Sequence, residues 1–473
     1  MASIKINIFW NVLRVTSNLL FPLITFPYAS RILGPESIGL FNFALAIASY
    51  FTLFASLGFP VYGTREIAVA KNDSKVFNDT VNAIFSANML AALLVTIIYV
   101  IFCITVERDN LTLFLIVGIS IMLSAISFEW FYQGIEDFKY LTVRGIIVKS
   151  ISVICLFVFV KSSDDLIIYA VLTVIAICGN NVLNLLRLRK YVRLRFTRKG
   201  ILKHSRGASI LFLGTIAVSL YSYMNDILVG ALDSMKGVAF FSTGNKVIHI
   251  VLSVISVISV SIVPKMSELI GLGKTDESAA LQKQGLNLIL YVAIPMCIGM
   301  AVLAKPIMLL FAGEKFLPAV EVLEILSLLI IVVPLSSFLG YQVLIPNRKE
   351  KYGNYAVISG AIVNIGFALI LVPKISFLGV AVSLLLAEIT ITLVHLYYSE
   401  RYMQLKWHDF IPVKSLISGL IMGAVIYFLK ERYEGAAFTF IWIVAGAVIY
   451  ILILILTKDS FTRDSLVNKI LKR

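Results

Sequence analysis

Long apolar segments constrain the fold of this 473-residue chain more than any other feature. A helix needs about 20 mostly apolar residues to cross roughly 30 Å of hydrocarbon. Fourteen windows of that kind occur, at 7–29, 37–60, 80–104, 111–133, 143–160, 166–186, 208–231, 237–263, 285–304, 321–345, 356–372, 377–399, 412–429 and 438–457. With 59% apolar and 14% charged residues, the composition excludes a soluble enzyme, a disordered chain and a disulfide scaffold. We expect an all-α polytopic membrane protein, because a β-barrel would show alternating ten-residue strands.

The distribution of Lys and Arg residues predicts the orientation of the spans. With a cytoplasmic N-terminus, 30 of the 41 basic residues are counted on the cytoplasmic side and nine in outside loops. The 30 include Arg144, Lys149 and Lys414, which lie near the cytoplasmic ends of their windows. This bias predicts that both termini are cytoplasmic. The first span is expected to remain in the mature protein, because Arg14 interrupts it and it lacks a cleavage site of small residues. Arg14 and Lys246 are the two basic residues assigned to the interior of spans.

A basic segment separates the sixth and seventh predicted spans. Residues 187–206 contain nine Lys or Arg residues and no acid, so the net charge of +14 has a topological explanation. Contact with anionic lipid headgroups explains such a segment better than nucleic-acid binding. We interpret it as the linker between two lobes. The predicted domains are 1–206 with spans one to six, 207–400 with spans seven to twelve, and 401–473 with two additional C-terminal helices.

Two short matches indicate an internal repeat. Gly39–Phe43 is similar to Gly237–Phe241, and Tyr132-Gln133 is similar to Tyr341-Gln342, in the same order and at similar offsets. Two six-helix lobes in the same orientation are a common transporter plan. We therefore expect about 14 helices, in two such lobes around a central cavity.

The first span carries polar residues at membrane depth, where burial costs free energy unless the residue faces a cavity or a partner. Four of them share one helix face: Asn7, Asn11, Arg14 and Asn18. Arg14 is expected about 10 Å into the span. Snorkelling of Arg14 to the interface, or interhelix hydrogen bonds by the asparagines, would be purely structural roles. We favour Arg14 as a cation that lines a cavity.

Spans seven and eight also have polar faces. Their members are Ser219, Ser222, Tyr223 and Asp226 on the seventh span, and Ser242, Asn245, Lys246, His249 and Ser253 on the eighth. Lys246 is expected about 15 Å below the preceding turn, near the bilayer midplane. One interpretation is a buried Asp226–Lys246 pair that only holds the hairpin. The other makes Lys246 a contact for a substrate phosphate, with Asp226 as its resting partner or as a gate.

Two further groups of polar residues have structural and functional interpretations. On span twelve, Glu388 and His395 share a face with Thr392 and can either relay protons or form hydrogen bonds between the lobes. Glu129, beside Trp130, is interpreted as an interfacial acid within an aromatic belt. No phosphate-binding loop, nucleophile motif or metal-ligand spacing is found, so neither catalysis nor a cofactor or metal is expected.

Several motifs carry a resemblance to a known family. The stretch Phe26–Ala44, which reads FPYASRILGPESIGLFNFA, and the stretch Ser56–Ala68, which reads SLGFPVYGTREIA, are similar to the Wzx-type polysaccharide flippases. Asn225–Gly230 and Gly237–Ser242 resemble the seventh and eighth helices of that family. The family belongs to the multidrug/oligosaccharidyl-lipid/polysaccharide exporter superfamily.

The resemblance implies a function. It implies a flippase of the bacterial inner membrane that moves an undecaprenyl-diphosphate-linked oligosaccharide from the cytoplasmic to the periplasmic leaflet by alternating access. The product would be a surface polysaccharide such as capsule or the O-antigen of lipopolysaccharide, made together with polymerase and chain-length proteins. Cavity cations are a feature of the family, and Arg14 and Lys246 match it. Arg31 and Arg65 lie in the similar motifs near helix ends and are additional candidates.

Three alternative functions make different demands on the sequence. A cation-coupled multidrug exporter of the same superfamily would be expected to have an acid in its first lobe, where span one has Arg14. A membrane-embedded sugar polymerase or transferase would be expected to need a sizeable outside loop, and the predicted outside loops are short. A purely structural channel or scaffold would not require the polar helix faces, so their presence favours a transporter.

Overall fold

The computed structural model describes residues 4–71, 73–403, 405, 412–430 and 435–457. In this part of the chain every regular element is a helix, which confirms the predicted all-α class. The chain divides into two compact units, Met1–Ala239 and Phe240–Arg473. The helices of the first unit are α1 Ile4–Ser56, α2 Phe59–Ala70, α3 Ser74–Val106, α4 Leu111–Ser124, α5 Glu129–Gly134, α6 Phe138–Phe159, α7 Leu166–Leu188 and α8 Ile201–Leu232.

The second unit begins within the next long helix. Its helices are α9 Met235–Ser261, α10 Val263–Gly271, α11 Thr275–Val302, α12 Ala304–Phe311, α13 Ala319–Ser327, α14 Leu329–Ser337, α15 Lys351–Ile375, α16 Phe377–Ser399, α17 Val413–Lys430 and α18 Ala436–Leu456. A π-helical segment, Phe338–Leu344, continues α14. The predicted division into lobes at residue 206 stays a prediction. The described contacts place α8 against α1, α2 and α3.

Many of these helices are long and apolar enough to span a membrane. In the described ranges eleven qualify, or twelve when Ala319–Ser327 and Leu329–Leu344, which are bent by 41° relative to each other, are counted as one span. A polytopic membrane protein is therefore confirmed, and the count of fourteen stays a prediction. Helix α1 supplies two of the predicted spans, 7–29 and 37–60, which are separated by a break at Gly34. Gly34 has φ 76°, a conformation that glycine adopts without steric cost.

A close approach between α1 and the start of α9 depends on another glycine. A Cβ atom at Gly39 would lie 1.6 Å from the carbonyl oxygen of Met235, so only a residue without a side chain fits there. Gly39 opens the first of the repeated motifs. The requirement for glycine at this position therefore has a packing explanation.

A buried aromatic core lies at one end of the first unit. Phe128, Trp130, Phe131 and Tyr132 are all at most 1% exposed and pack with Phe59 of α2. The interpretation of this segment as a lipid-facing aromatic belt is therefore wrong. The helix breaks between α4 and α5, where Phe128 has φ 44°, and the chain after the break enters the core.

The glutamines of the two Tyr-Gln pairs both form hydrogen bonds within their own units. Gln133, at the end of α5, accepts a hydrogen bond from Oγ1 of Thr64 in α2 at 3.4 Å. Gln342, in the π-helical segment, donates from Nε2 to the carbonyl of Ser259 near the end of α9 at 3.2 Å. The two contacts differ in direction and in the kind of helix contacted. The internal repeat therefore stays a prediction.

Candidate functional site

Charged and amide side chains meet in the first unit where α1, α5 and α6 come together. We call this group the polar cluster, and its members are Asn11, Arg14, Asn18, Glu129, Arg144 and Lys149. Nη2 of Arg14 donates to Oδ1 of Asn11 at 3.2 Å, one turn away on α1. Nζ of Lys149 donates to Oδ1 of Asn18 across the α1–α6 interface. Asn11 and Asn18 therefore each accept from a cation, and the Asn18 bond joins two helices, as the structural interpretation of the asparagines expects.

Helix α6 supplies two cations of the polar cluster. Asp137 caps the helix by accepting from the backbone N–H of Tyr140 at 3.2 Å, so α6 begins at Phe138. From that start, Arg144 lies about 9 Å and Lys149 about 16 Å along the helix. The hydroxyl of Thr142 donates to the carbonyl of Trp10 at 2.8 Å and fixes this part of α6 against α1.

The sequence analysis did not single out Arg144 and Lys149. Both were counted with the cytoplasmic cations, although they lie within the predicted window 143–160. The helix begins at Phe138, and the side chain of Arg144 is only 4% exposed. Asp137 directly before an aromatic and apolar run is an N-cap signature that could have located this start.

An ion pair joins α5 to α6. Nη2 of Arg144 lies 2.9 Å from Oε1 of Glu129, the first residue of α5. The positive charge of Arg14 acts on Arg144, and the negative charge of Glu129 acts on Lys149. With three cations and one carboxylate, the polar cluster has a formal charge of +2. It is therefore suited to a multiply charged anion rather than to a cation.

Two guanidinium groups of the polar cluster have unused hydrogen-bonding capacity. Nε of Arg14 and Nε of Arg144 are both buried, and neither has a hydrogen-bond partner among the described residues. Buried N–H groups almost always find an acceptor, since leaving one unsatisfied costs about 1–3 kcal/mol. Phosphate and carboxylate oxygens are the acceptors that match the guanidinium geometry. The arrangement can therefore accept hydrogen-bonding oxygens of an anion.

Other candidates in the first unit lie apart from these contacts. Asn7 is half-buried near the start of α1. Arg31 is exposed, and its Nη1 donates to the carbonyl of Pro27 in its own helix at 2.6 Å. Arg65 is exposed on α2. The cavity role of these three residues stays a prediction.

The polar face of α8 belongs to the first unit. Tyr223 is 38% exposed, and its ring centroid lies 6.0 Å from that of Tyr50 on α1 in an edge-to-face arrangement. Asp226 is half-buried. The side chains of Ser219 and Ser222 lie outside the described part. Asp226 is in the first unit and Lys246 in the second, so the predicted pair stays a prediction.

The polar face of α9 lies in the second unit. Asn245 and Lys246 are half-buried and His249 is exposed. Oδ1 of Asn245 is a buried acceptor that receives no hydrogen bond from the described residues. A hydroxyl or ammonium donor would satisfy this oxygen. Lys246 and Asn245 therefore remain candidates for substrate contact.

The acid and the histidine of α16 have different surroundings. His395 is 8% exposed, and its Nδ1 lies 2.9 Å from Oγ of Ser336 on α14. Glu388 is half-buried and lies about 10 Å nearer the start of the same helix, two turns away. At that separation a proton cannot pass directly between the two side chains. The serine contact favours the structural role, within the second unit.

An apolar cavity of about 770 Å³ lies within the second unit. It is lined by residues of α9, α11, α12, α17 and α18, among them Val292, Met296, Met300, Ile426 and Ile443. The two predicted C-terminal helices thus form one of its walls. One hydrogen bond joins two of these helices: the hydroxyl of Tyr450 on α18 donates to the carbonyl of Tyr291 on α11 at 3.0 Å. Such a lining is suited to a hydrocarbon chain.

The sequence of this chain is similar to those of known proteins. A family model described as polysaccharide biosynthesis protein matches residues 4–270. A Shigella dysenteriae protein named as an O-antigen transporter is 28% identical over 399 residues, which cover 82% of this chain and 98% of that protein.

Two solved structures share the fold. The lipid II flippase MurJ, in an inward closed conformation, superposes with a TM-score of 0.79 at 16% identity, covering 96% of this chain and 99% of MurJ. An inward-facing multidrug resistance MATE transporter of the MOP superfamily gives 0.63 at 12% identity, covering 82% and 94%. These similarities show that the chain shares the fold of these two transporters.

Proposed function

Because this chain belongs to the polysaccharide biosynthesis protein family, we propose that it is a flippase for a lipid-linked oligosaccharide. It is a transporter and not an enzyme, in agreement with the O-antigen transporter that it resembles over most of its length. The fold shared with the lipid II flippase MurJ supports the same class of cargo. We further propose that the carrier is undecaprenyl diphosphate and that the glycan is destined for O-antigen or capsule.

The observation that carries this proposal is the polar cluster. A diphosphate brings negative charge and several acceptor oxygens, and its transfer into a low-dielectric site is costly unless cations neutralise it. Arg14, Arg144 and Lys149 supply that charge on adjacent helices. The unsatisfied Nε atoms of both arginines would donate to phosphate oxygens.

Glu129 acts as the resting counter-ion of Arg144 in this proposal. Its carboxylate accepts one N–H of the guanidinium, at Nη2, and leaves Nε unused. An incoming phosphate would bond to the unused N–H and compete for the bonded one. Because the site already holds a carboxylate on a buried arginine, exchange for a phosphate replaces one anion with another rather than burying a new charge.

The other parts of the cargo require other surfaces. The apolar cavity of the second unit would accept part of the polyprenyl chain. Lys246 and Asn245 of α9 would contact phosphate or sugar groups. We propose that lobes 1–206 and 207–400, with helices in 401–473 appended, alternate between cytoplasmic and periplasmic access. Outward movement of an anion from a negative interior is favoured by about 2.3 kcal/mol per charge per 100 mV, so an ion gradient is not required.

A multidrug exporter is the second candidate, since the MATE transporter shares this fold. An exporter of cationic drugs would need an acidic site, whereas the polar cluster has a formal charge of +2. Its excess of positive charge favours an anionic cargo.

Reconstitution tests the proposal. The purified full-length chain is placed in vesicles that contain lipid-linked oligosaccharide, and a membrane-impermeant glycosidase reports the substrate that reaches the outer leaflet. We expect protein-dependent exposure of substrate that is sheltered in protein-free vesicles. Equal exposure in both preparations, together with uptake of a fluorescent cationic drug by the same vesicles, would favour the exporter instead.

A further inference from the structure

The basic segment between α7 and α8 is an ordered surface with its cations turned outward. We call residues 189–206 the basic strap. It contains no Asp or Glu, and eight of its residues are exposed cations: Arg189, Lys190, Arg193, Arg195, Arg198, Lys199, Lys203 and Arg206. In the described part of the chain, no carboxylate forms an ion pair with any of them.

Helix α3 fixes the backbone of the basic strap. The N–H of Arg195 donates to Oδ1 of Asn82 at 2.7 Å, and the N–H of Thr197 donates to Oγ of Ser86 at 2.9 Å. Side chains then alternate as in an extended strand. Val192 and Leu194 pack into the aromatic core, while the side chains of Arg193 and Arg195 are exposed. The cations are therefore held in place before any partner binds.

The anchor points on α3 lie where headgroups are expected. This helix has 33 residues and is about 50 Å long, whereas the hydrocarbon layer is about 30 Å thick. Counted back from Val106, about 20 residues fill that layer and end near residue 87. Eight of the nine exposed large apolar side chains described on α3 lie within this limit, and Val76 lies outside it. The eight are Leu90, Leu93, Leu94, Ile97, Ile98, Ile101, Ile104 and Val106. Asn82 and Ser86 thus hold the basic strap at headgroup level.

Apolar side chains accompany the cations of the basic strap. Phe196 is 56% exposed and Leu202 is 85% exposed. Exposed aromatic and aliphatic residues among Lys and Arg are typical of segments that lie in the membrane interface. A soluble acidic partner would match the charge, but it would not account for the headgroup depth or for these two side chains.

Acidic and titratable neighbours of the basic strap are few. His204 is buried, and its Nδ1 lies 2.9 Å from the hydroxyl of Tyr62 on α2. Glu66 of α2 is the carboxylate whose charge acts on His204. The charge of Glu66 also acts on Tyr62, and both Tyr62 and His204 are buried. This acid therefore leaves the outward surface cationic.

We propose that the basic strap binds the headgroups of anionic phospholipids at the side of the membrane where α3 begins. Each exposed cation close to an anionic surface contributes about 1 kcal/mol of attraction. Because the backbone is already fixed on α3, ordering costs less than for a flexible basic loop. The proposal is independent of what the protein transports.

Lipid retention tests this proposal on the full-length chain. The protein is placed in phosphatidylcholine nanodiscs with a low fraction of phosphatidylglycerol, and native mass spectrometry measures the lipid that stays bound. The variant Arg193→Gln/Arg195→Gln is expected to lower phosphatidylglycerol retention about 30-fold. The matched control Lys265→Gln/Lys274→Gln removes two exposed lysines that already pair with Glu268 and Glu277 and should retain it.

Two further variants separate the contribution of charge from that of the apolar side chains. Arg193→Lys/Arg195→Lys preserves the charge and should retain phosphatidylglycerol, whereas Phe196→Ala/Leu202→Ala should lower the retention of both lipids. Raising the salt concentration should weaken only the phosphatidylglycerol signal. Equal retention by wild type and the glutamine variant would overturn the proposal. An equal loss in the Lys265/Lys274 control would overturn it as well, because net charge alone would then explain the binding.

Discussion

Oε1 of Glu129 lies 2.9 Å from Nη2 of Arg144, and the two side chains differ sharply in exposure. That of Arg144 is 4% exposed, whereas that of Glu129 is 46% exposed. The arginine is thus a fixed part of the protein, and the carboxylate is the accessible partner. The relationship makes Arg144 a built-in cation whose counter-ion can be exchanged.

Glu129→Gln removes the negative charge and leaves Arg144 with a neutral hydrogen-bond partner. Loss of one member of a buried ion pair is strongly destabilising, and the exposure of Glu129 reduces the cost here to about 2 kcal/mol. We expect a lower unfolding midpoint and tighter binding of pyrophosphate by the purified protein. The double variant Glu129→Gln/Arg144→Gln should recover part of the stability and lose the binding. Additive effects of the two substitutions would contradict the coupling.

Lys149→Gln should abolish transport without loss of the fold. Its ammonium reaches Asn18 across α1 and α6, so its removal takes one charge from the polar cluster and leaves the helix ends unchanged. Surface polysaccharide in a strain that depends on this protein is the readout. Lys139→Gln is the matched control, since Lys139 is an exposed cation near the start of the same helix. Full polymer from Lys149→Gln, or an equal defect in the control, would remove Lys149 from the site.

Gly39→Ala should destabilise the first unit. The added Cβ would lie 1.6 Å from the carbonyl oxygen of Met235, so α1 and the start of α9 must separate. The expected cost is about 1–3 kcal/mol or more, seen as a lower thermal midpoint in detergent. Gly145→Ala on α6 provides the control, because a Cβ there meets nothing within 4 Å. It should raise stability slightly through better helix propensity. If the thermal unfolding midpoint of Gly39→Ala equals that of wild type, α1 and the start of α9 are not in close contact at Gly39.

Glu388→Gln should leave transport unchanged across a pH series. His395 bonds to Ser336, and Glu388 lies two turns away, so the acid has no direct proton path to the histidine. Ser336→Ala, by contrast, leaves a buried imidazole nitrogen without its partner and should lower the unfolding midpoint by an amount equivalent to about 1–3 kcal/mol. A flipping rate that loses its pH dependence in Glu388→Gln would restore the proton-relay interpretation.

The sequence predicted the helical class and the positions of the long helices well, because about 20 consecutive apolar residues allow few alternatives in a membrane. It also singled out the basic segment through its charge. It did not predict that the linker is pinned to Asn82 and Ser86. Hydrogen bonds from a connector's backbone to distant side chains leave no periodic pattern in the sequence.

The candidate site was predicted in part. The polar face of α1 was found because Asn11, Arg14 and Asn18 repeat at helical spacing in an apolar segment. Arg144 and Lys149 were missed, because both were counted with the cytoplasmic cations although they lie within the predicted window 143–160. The burial of Arg144 and its contact with Glu129 place them in the polar cluster. Their partners on α1 and α5 are distant in sequence, and pairing of that kind is set by packing.

The leaflet assay with Arg14→Ala tests most directly whether cations of the first unit bind the carrier. In vesicles with lipid-linked oligosaccharide, wild type and Lys139→Gln should expose substrate to the external glycosidase at similar rates. Arg14→Ala, although folded and inserted to the same extent, should slow that exposure by at least about a hundredfold, equivalent to roughly 2.7 kcal/mol. Exposure by Arg14→Ala at the wild-type rate would contradict the account, because the charge that it assigns to the carrier phosphates would then be dispensable.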